Sequence, residues 1–145
     1  MQRDVLELET SFRRVLATLQ RLIDEARPWL EDHRVTLIER AVDDQEREGE
    51  ESLFYHEFLF IQDQEQGPET HRRTVTLYYQ EPVDSAVSDL VGRIQVTTQA
   101  EVFRKPSPSL RKQKELSAIA VDDLSARGLA VFLQSRFEMA VSWLP

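Results

Sequence analysis

The stretch from residue 53 to residue 61 constrains the fold most, because it is apolar on both of its alternating faces. Successive side chains of a β-strand point to opposite sides of the sheet. The two sets of apolar side chains are Phe54, Phe58 and Phe60 on one side, and Leu53, Tyr55, Leu59 and Ile61 on the other. A strand of this kind needs cover on both sides, either from helices or from a second subunit.

Two further stretches alternate in hydropathy as strands do. Residues 74–80 place Val75, Leu77 and Tyr79 on one side, and residues 93–104 alternate over a longer run. Residues 34–42 are rich in β-branched side chains but also fit a helical face, and we favour a strand there. A short strand at 117–121 would complete an antiparallel sheet of three to five strands. We expect residues 83–91 to form a short helix or an edge segment.

The first helix is predicted from a regular apolar stripe. Within residues 3–27 the stripe recurs at alternating spacings of three and four and consists of Val5, Leu8, Phe12, Val15, Leu19, Leu22 and Ala26, with Trp29 continuing it. It covers an arc of about 140°, which is wide enough to pack on a sheet. We expect the helix to be interrupted or kinked at Arg27-Pro28.

A second amphipathic helix is predicted at residues 124–143, with Asp122 or Asp123 as its N-cap. Its apolar arc of about 200° is wider than one sheet face would cover. We therefore predict a single α+β domain over residues 1–145, a small antiparallel sheet with an amphipathic helix at each end of the chain. The helices would pack one on each face, or both on one face with a second subunit on the other.

Charge excludes some classes of partner. The formal net charge is −8, which disfavours nucleic acid because such binding depends on Lys and Arg that neutralise phosphates. Residues 43–51, which we expect to be a loop or a helix end, carry six acids and one Arg; residues 104–114 carry five basic residues and no acid. The segment 105–114, with Pro106 and Pro108, is predicted to be a linker. These stretches are either two solvated loops or complementary patches that steer association.

The expected location is the cytoplasm. The N-terminus shows an amphipathic pattern instead of a continuous apolar leader, and no stretch approaches the ~18 apolar residues that a membrane span needs. The chain has no Cys, which excludes disulfides and thiolate chemistry. We expect no binding to membranes.

No motif for catalysis or for a cofactor is present. His33, His56 and His71 lack the spacing of a metal site, and the four Gly residues lie outside any phosphate-binding pattern. We predict no metal, no cofactor and no catalytic residue.

Arg136 is the most suggestive single residue, because it lies inside the apolar arc of the last helix. A buried guanidinium needs a partner. That partner is either an ion pair, for which Glu57 is the candidate, or a bound anion in a pocket between the sheet and the last helix. In the second case Arg136, Glu57 and Tyr55 would line the pocket, with Tyr78 and Tyr79 nearby.

The favoured hypothesis is a non-enzymatic protein-interaction module that forms a homodimer and could bind a further protein. The predicted interface residues are large apolar side chains of the central strand and the last helix: Phe54, Phe58, Phe60, Phe132 and Trp143. In size, acidity and helix–sheet–helix layout the chain is similar to bacterial type III secretion chaperones, and a subunit of a larger assembly is a further possibility. The alternative is a small-ligand-binding domain or enzyme.

Overall fold

The computed structural model describes residues 5–42, 52–82, 93–104 and 109–143. Within these ranges the chain forms three α-helices and five β-strands. In chain order they are α1 (Val5–Asp32), β1 (Thr36–Val42), β2 (Ser52–Gln66), β3 (Glu69–Pro82), β4 (Arg93–Arg104), β5 (Ser109–Ala120), α2 (Val121–Arg127) and α3 (Leu129–Trp143). The predictions for residues 43–51 and 83–91 lie outside the described residues.

The strands form one antiparallel sheet in the order β1-β2-β3-β4-β5, so each strand pairs with its neighbour in the sequence. The pairing register places Ile38 opposite Leu59, Leu59 opposite Thr76, Thr76 opposite Thr97 and Thr97 opposite Leu116. The predicted α+β fold, a small antiparallel sheet flanked by N-terminal and C-terminal helices, is confirmed.

The core lies between the helices and one face of the sheet. The helices contribute Leu19, Leu22, Phe132 and Leu133 among others, each at most 2% exposed. The sheet contributes the alternate residues of its central strands, Phe58 and Phe60, Val75, Leu77 and Tyr79, Ile94 and Val96. Because these sheet residues all point to one side, α1 and α3 pack on the same face. Within the described ranges, no helix is both long enough and apolar enough to cross a membrane.

The first helix does not stop at proline. Helix α1 continues through Pro28 to Asp32, so of the predicted interruption or kink at Arg27-Pro28 the interruption does not occur. Pro28 removes one helical hydrogen bond, but its neighbour Leu30 is buried and secures the last turn. The main-chain N–H of Arg34 then donates to the carbonyl of Glu31 at 3.1 Å, and that of Val35 to the carbonyl of Leu30 at 2.9 Å. This pair of bonds is a Schellman motif, which ends the helix.

The C-terminal helical segment is two helices, not one. Gly128 separates α2 from α3 with φ 90° and ψ 140°, a conformation that only glycine adopts without strain. The helical segment also begins at Val121, three residues before the predicted start.

Strands β2, β3 and β5 are longer than the sequence predicted. Strands β2 and β3 extend across most of the predicted polar loop and turn tightly at Gly67, which has φ 63°. Strand β5 begins at Ser109, so most of the segment predicted as a linker is part of the sheet. Pro106 and Pro108 precede this strand, and proline is compatible with a strand that starts after it.

Candidate functional site

Arg136 is compensated within its own chain. Its guanidinium lies 3.5 Å from the carboxylate of Glu115 on β5, and 5.1 Å from the centre of the Phe132 ring. The side chain keeps 21% of its surface exposed. The expected ion pair with Glu57 is not formed.

Glu57 and Tyr55 lie on the other side of the sheet from α3. Glu57 forms an ion pair of 2.6 Å with Arg40 of β1, and its second oxygen accepts a 2.6 Å hydrogen bond from the Tyr55 hydroxyl. Strand alternation explains this separation, because odd-numbered residues of β2 face away from the helices. The structure therefore does not bring Arg136, Glu57 and Tyr55 together.

The predicted interface residues fall into three groups. Phe58, Phe60 and Phe132 are at most 1% exposed, so a partner that docks on this structure would not contact them. Trp143 is half-buried in the last turn of α3. The side chain of Phe54 lies outside the described residues.

The three histidines are dispersed. His33 follows α1, His56 accepts or donates a 2.7 Å hydrogen bond with Glu39, and His71 lies at the far end of β3. No group of three metal-binding side chains occurs in the part of the chain that the structure describes.

One face of the sheet carries no described helix, and we call it the open face. Its central row, defined by the register above, is Ile38, Leu59, Thr76, Thr97 and Leu116. Ile38 is 42% exposed and Leu116 is 68% exposed, two large apolar side chains at opposite ends of one row. The other half of the strand at 53–61, represented by Leu59 and Ile61, is thus only half-buried.

Two arginines on the open face have carboxylate partners within it. Besides the Arg40–Glu57 pair, Arg72 binds both oxygens of Asp63 at 2.8 and 2.9 Å, and this pairing raises the pKa of the Arg72 guanidinium. Arg72 also lies over the Phe103 ring at 5.0 Å. Since Arg40 and Arg72 each already have a carboxylate, these two guanidinium groups can meet another surface without being left unpaired.

A second feature is a cleft on the helix side, between the C-terminal ends of α1 and α3 and the β2–β3 hairpin. Its volume is ≈ 160 Å³. Trp29, His33 and Phe137 form an aromatic wall, with ring centres 4.4 Å apart for Trp29 and His33 and 6.4 Å apart for Trp29 and Phe137. Arg73 lies at its base and Glu138 at its rim.

A smaller cavity of ≈ 40 Å³ adjoins the cleft and shares Arg73 with it. It is lined by His71 and Gln64, which are direct cross-strand partners. His71 is 9% exposed, and its Nε2 atom is buried without a hydrogen bond. The sheet face beneath the helices therefore turns from apolar to polar where α3 ends.

Arg73 and its neighbours were missed from the sequence. The alternation of β3 was read only from residue 74, and the preceding residues 63–71 were predicted to be a loop. The available signal was that residues 71 and 73 continue the same alternation as Val75, Leu77 and Tyr79.

By fold, the chain is an α+β protein with α1 and α3 on one side of an antiparallel sheet. No protein-family model matches the chain, and comparison with curated proteins and with solved structures finds no match.

Proposed function

We propose that this chain is a non-enzymatic protein-interaction module that forms a homodimer through the open face of its sheet. The observation that supports this most is the central row, which ends in the exposed side chains of Ile38 and Leu116. A row of apolar and threonine side chains that spans all five strands suits a sheet-to-sheet contact. A chaperone-like protein or an assembly subunit would use such a dimer as its working unit.

The row is self-complementary under a two-fold axis that runs along β3. Because β3 is the middle strand, this axis exchanges β1 with β5 and β2 with β4. Ile38 of one protomer would then lie over Leu116 of its partner, and Leu59 over Thr97. Thr76 would lie over its own copy, as a two-fold interface requires.

The available area matches what a stable dimer needs. Five strands spaced ~4.8 Å apart, each about 10 residues long at ~3.3 Å per residue, give a face of roughly 800 Å². Specific interfaces bury about 800 Å² per partner.

Lys112 and Lys114 of β5 belong to the open face together with Leu116, because the even-numbered residues of this strand point away from the helices. Both lysines lie on an edge strand, so in the proposed dimer their long side chains would keep the ammonium groups in water at the rim of the contact.

The experiment is to place a charge in the central row of the proposed interface. Leu116→Lys would bury an unpaired ammonium twice in each dimer, at about 3 kcal/mol per site, and should give a monomer in sedimentation-velocity runs at two concentrations. Val131→Lys is the matched control, since Val131 is 60% exposed on α3, away from the open face.

We expect the wild type and Val131→Lys to sediment as dimers and Leu116→Lys as a monomer with unchanged circular dichroism. A monomeric wild type at micromolar concentration contradicts the proposal. A Leu116→Lys protein that stays dimeric shows that the dimer uses another surface.

A further inference from the structure

We propose that the cleft between α1, α3 and the β2–β3 hairpin binds a small monocarboxylate with a planar apolar body, with Arg73 as the carboxylate-binding residue. The site lies on the opposite side of the sheet from the open face. Ligand binding in the cleft and dimerisation through the open face can therefore fail independently of each other.

The first step is the state of Arg73. It occupies a helix-facing position of β3, next to the buried Val75, and is itself half-buried. A guanidinium has five N–H donors. Within the described part of the chain, Arg73 donates one hydrogen bond, from Nη2 to Oε1 of Gln64 at 2.7 Å, and no carboxylate lies within 4.0 Å of it.

The electrostatic environment agrees with this geometry. Burial lowers the pKa of the Arg73 guanidinium, and the charge of Asp63 on the other side of the sheet opposes this only in part. A half-buried cation without a counter-ion is costly, and a bound carboxylate would supply the missing charge and two hydrogen bonds. Arg72, one residue earlier, already has such a partner in Asp63.

The walls indicate what else the ligand carries. The rings of Trp29, His33 and Phe137 offer flat apolar surface beside Arg73, which suits an aromatic or otherwise planar body. Glu138 at the rim disfavours a second negative charge, so a monoanion fits better than a phosphate. Drug-sized ligands occupy ~300–1,000 Å³, so a cleft of ≈ 160 Å³ calls for a smaller acid.

His71 adds a ring nitrogen that can form a further hydrogen bond at the inner end of the cleft. Its buried Nε2 has no hydrogen bond, and it lines the adjoining cavity that Arg73 also reaches. The nearest described acid is Glu69, whose Oε1 lies 3.8 Å from Nε2. An acceptor or donor of the ligand, or a water held beneath it, would satisfy this atom.

The test uses benzoate as the probe and Trp29 as the reporter. The chain has two Trp, so Trp143→Phe leaves Trp29 alone in the aromatic wall. We expect a saturable change in Trp29 emission with a Kd of about 1 mM or tighter. Benzamide, the neutral isostere, and inorganic phosphate should bind at least about tenfold more weakly, because each loses the charge or the fit that the cleft selects.

Arg73→Gln in the same background should weaken benzoate binding by about tenfold or more, whereas the matched Arg72→Gln should leave it unchanged. Without ligand, Arg73→Gln should keep or raise the melting temperature, and Arg72→Gln should lower it, since only Arg72 loses an ion pair. This second readout separates a binding role from a structural one.

The proposal is overturned by any of four results, three of them from binding. Benzoate gives no saturable change, Arg73→Gln binds benzoate as tightly as its parent, or phosphate binds as tightly as benzoate. A loss of melting temperature in Arg73→Gln larger than that in Arg72→Gln also contradicts it, because the guanidinium would then be part of the folded framework.

Discussion

Two arginines near α3 differ in whether a negative charge compensates them. Arg136 has Glu115 and the Phe132 ring, whereas Arg73 has the neutral amide of Gln64. A half-buried guanidinium that no carboxylate of the described chain neutralises is the best single indication of a ligand on the helix side. The uncompensated charge of Arg73, and not the number of polar groups around it, indicates an anionic ligand.

The buried hydroxyl of Thr98 allows the cost of one unsatisfied polar atom in the core to be measured. It is 1% exposed on the helix side of β4, and its Oγ1 has no hydrogen-bond partner. Thr98→Val should raise the free energy of unfolding by about 1 kcal/mol, because it replaces an unsatisfied buried hydroxyl with a methyl group. Urea denaturation measures the change.

The control is Thr36→Val, the same substitution at an exposed position of β1. It should change stability by less than about 0.5 kcal/mol. If Thr98→Val is destabilising, the hydroxyl of Thr98 has a hydrogen-bond partner that this account lacks.

The need to compensate a buried arginine was predictable from the sequence, but the residue concerned was not. Arg136 was chosen because it lies within a clear helical stripe. Its real partner, Glu115, lies between the segment predicted to be a linker, 105–114, and the short strand predicted at 117–121, so no strand was expected beside it. Arg73 adjoins a run of Gln, Glu and Asp that reads as a loop, because hairpin ends beyond the helix layer need no apolar side chains.

At the scale of elements, the types of most helices and strands were predictable from the sequence, whereas most of their boundaries were not. Alternation gave β4 its limits at 93 and 104, and the 3-4 spacing identified α1. Pro28 was expected to interrupt or kink α1. It does not interrupt the helix, because burial of Leu30 and the Schellman motif outweigh one lost hydrogen bond. One helix was predicted over residues 124–143, but the positive φ of Gly128 divides this segment into two helices.

A substitution at the C-terminal end of α1 is expected to stabilise the fold. Arg34 occupies the C′ position of the Schellman motif with φ 55°, where glycine is preferred because a Cβ is strained. Arg34→Gly should raise the free energy of unfolding by about 0.5–1 kcal/mol, after the entropy cost of a glycine in the unfolded chain. Thermal unfolding followed by circular dichroism measures it, at about 2–4 °C per kcal/mol.

Arg34→Ala is the matched control, because it removes the same charge but keeps the Cβ. It should leave stability nearly unchanged. Equal stabilisation by both substitutions would mean that the charge of Arg34, and not its backbone conformation, is unfavourable.

At the scale of the whole molecule, the strand at 53–61 needs cover on both of its faces, and the described helices cover only one of them. Its even-numbered residues, Phe58 and Phe60, are covered by the helices, while Leu59 and Ile61 remain half-buried on the open face. The sequence predicted that both sides need cover. It could not say which side the helices take, because an amphipathic stripe does not specify the face on which it packs.

The choice of interface residues depended on the same unknown, namely which face of the sheet the helices cover. Three of the phenylalanines chosen for size lie in the core, because the two helices pack side by side on their face of the sheet. The surface that remains is the opposite one, and it is marked by smaller side chains. Ile38 and Leu116 come from two distant stretches, and only the register of five strands places them in one row.

The register of the proposed dimer can be measured directly, since the chain has no native cysteine. Ile38→Cys and Leu116→Cys proteins are mixed and treated with a bismaleimide of about 10 Å span, which matches the ~10 Å between packed sheets. A two-fold axis along β3 places these residues opposite each other, whereas like residues of the two protomers are offset by four strand spacings and by the distance between the sheets, roughly 22 Å in all. We predict that the mixture yields crosslinks between Ile38→Cys and Leu116→Cys chains and that neither protein alone does so; crosslinks between like chains, or none at all, would contradict the open-face homodimer.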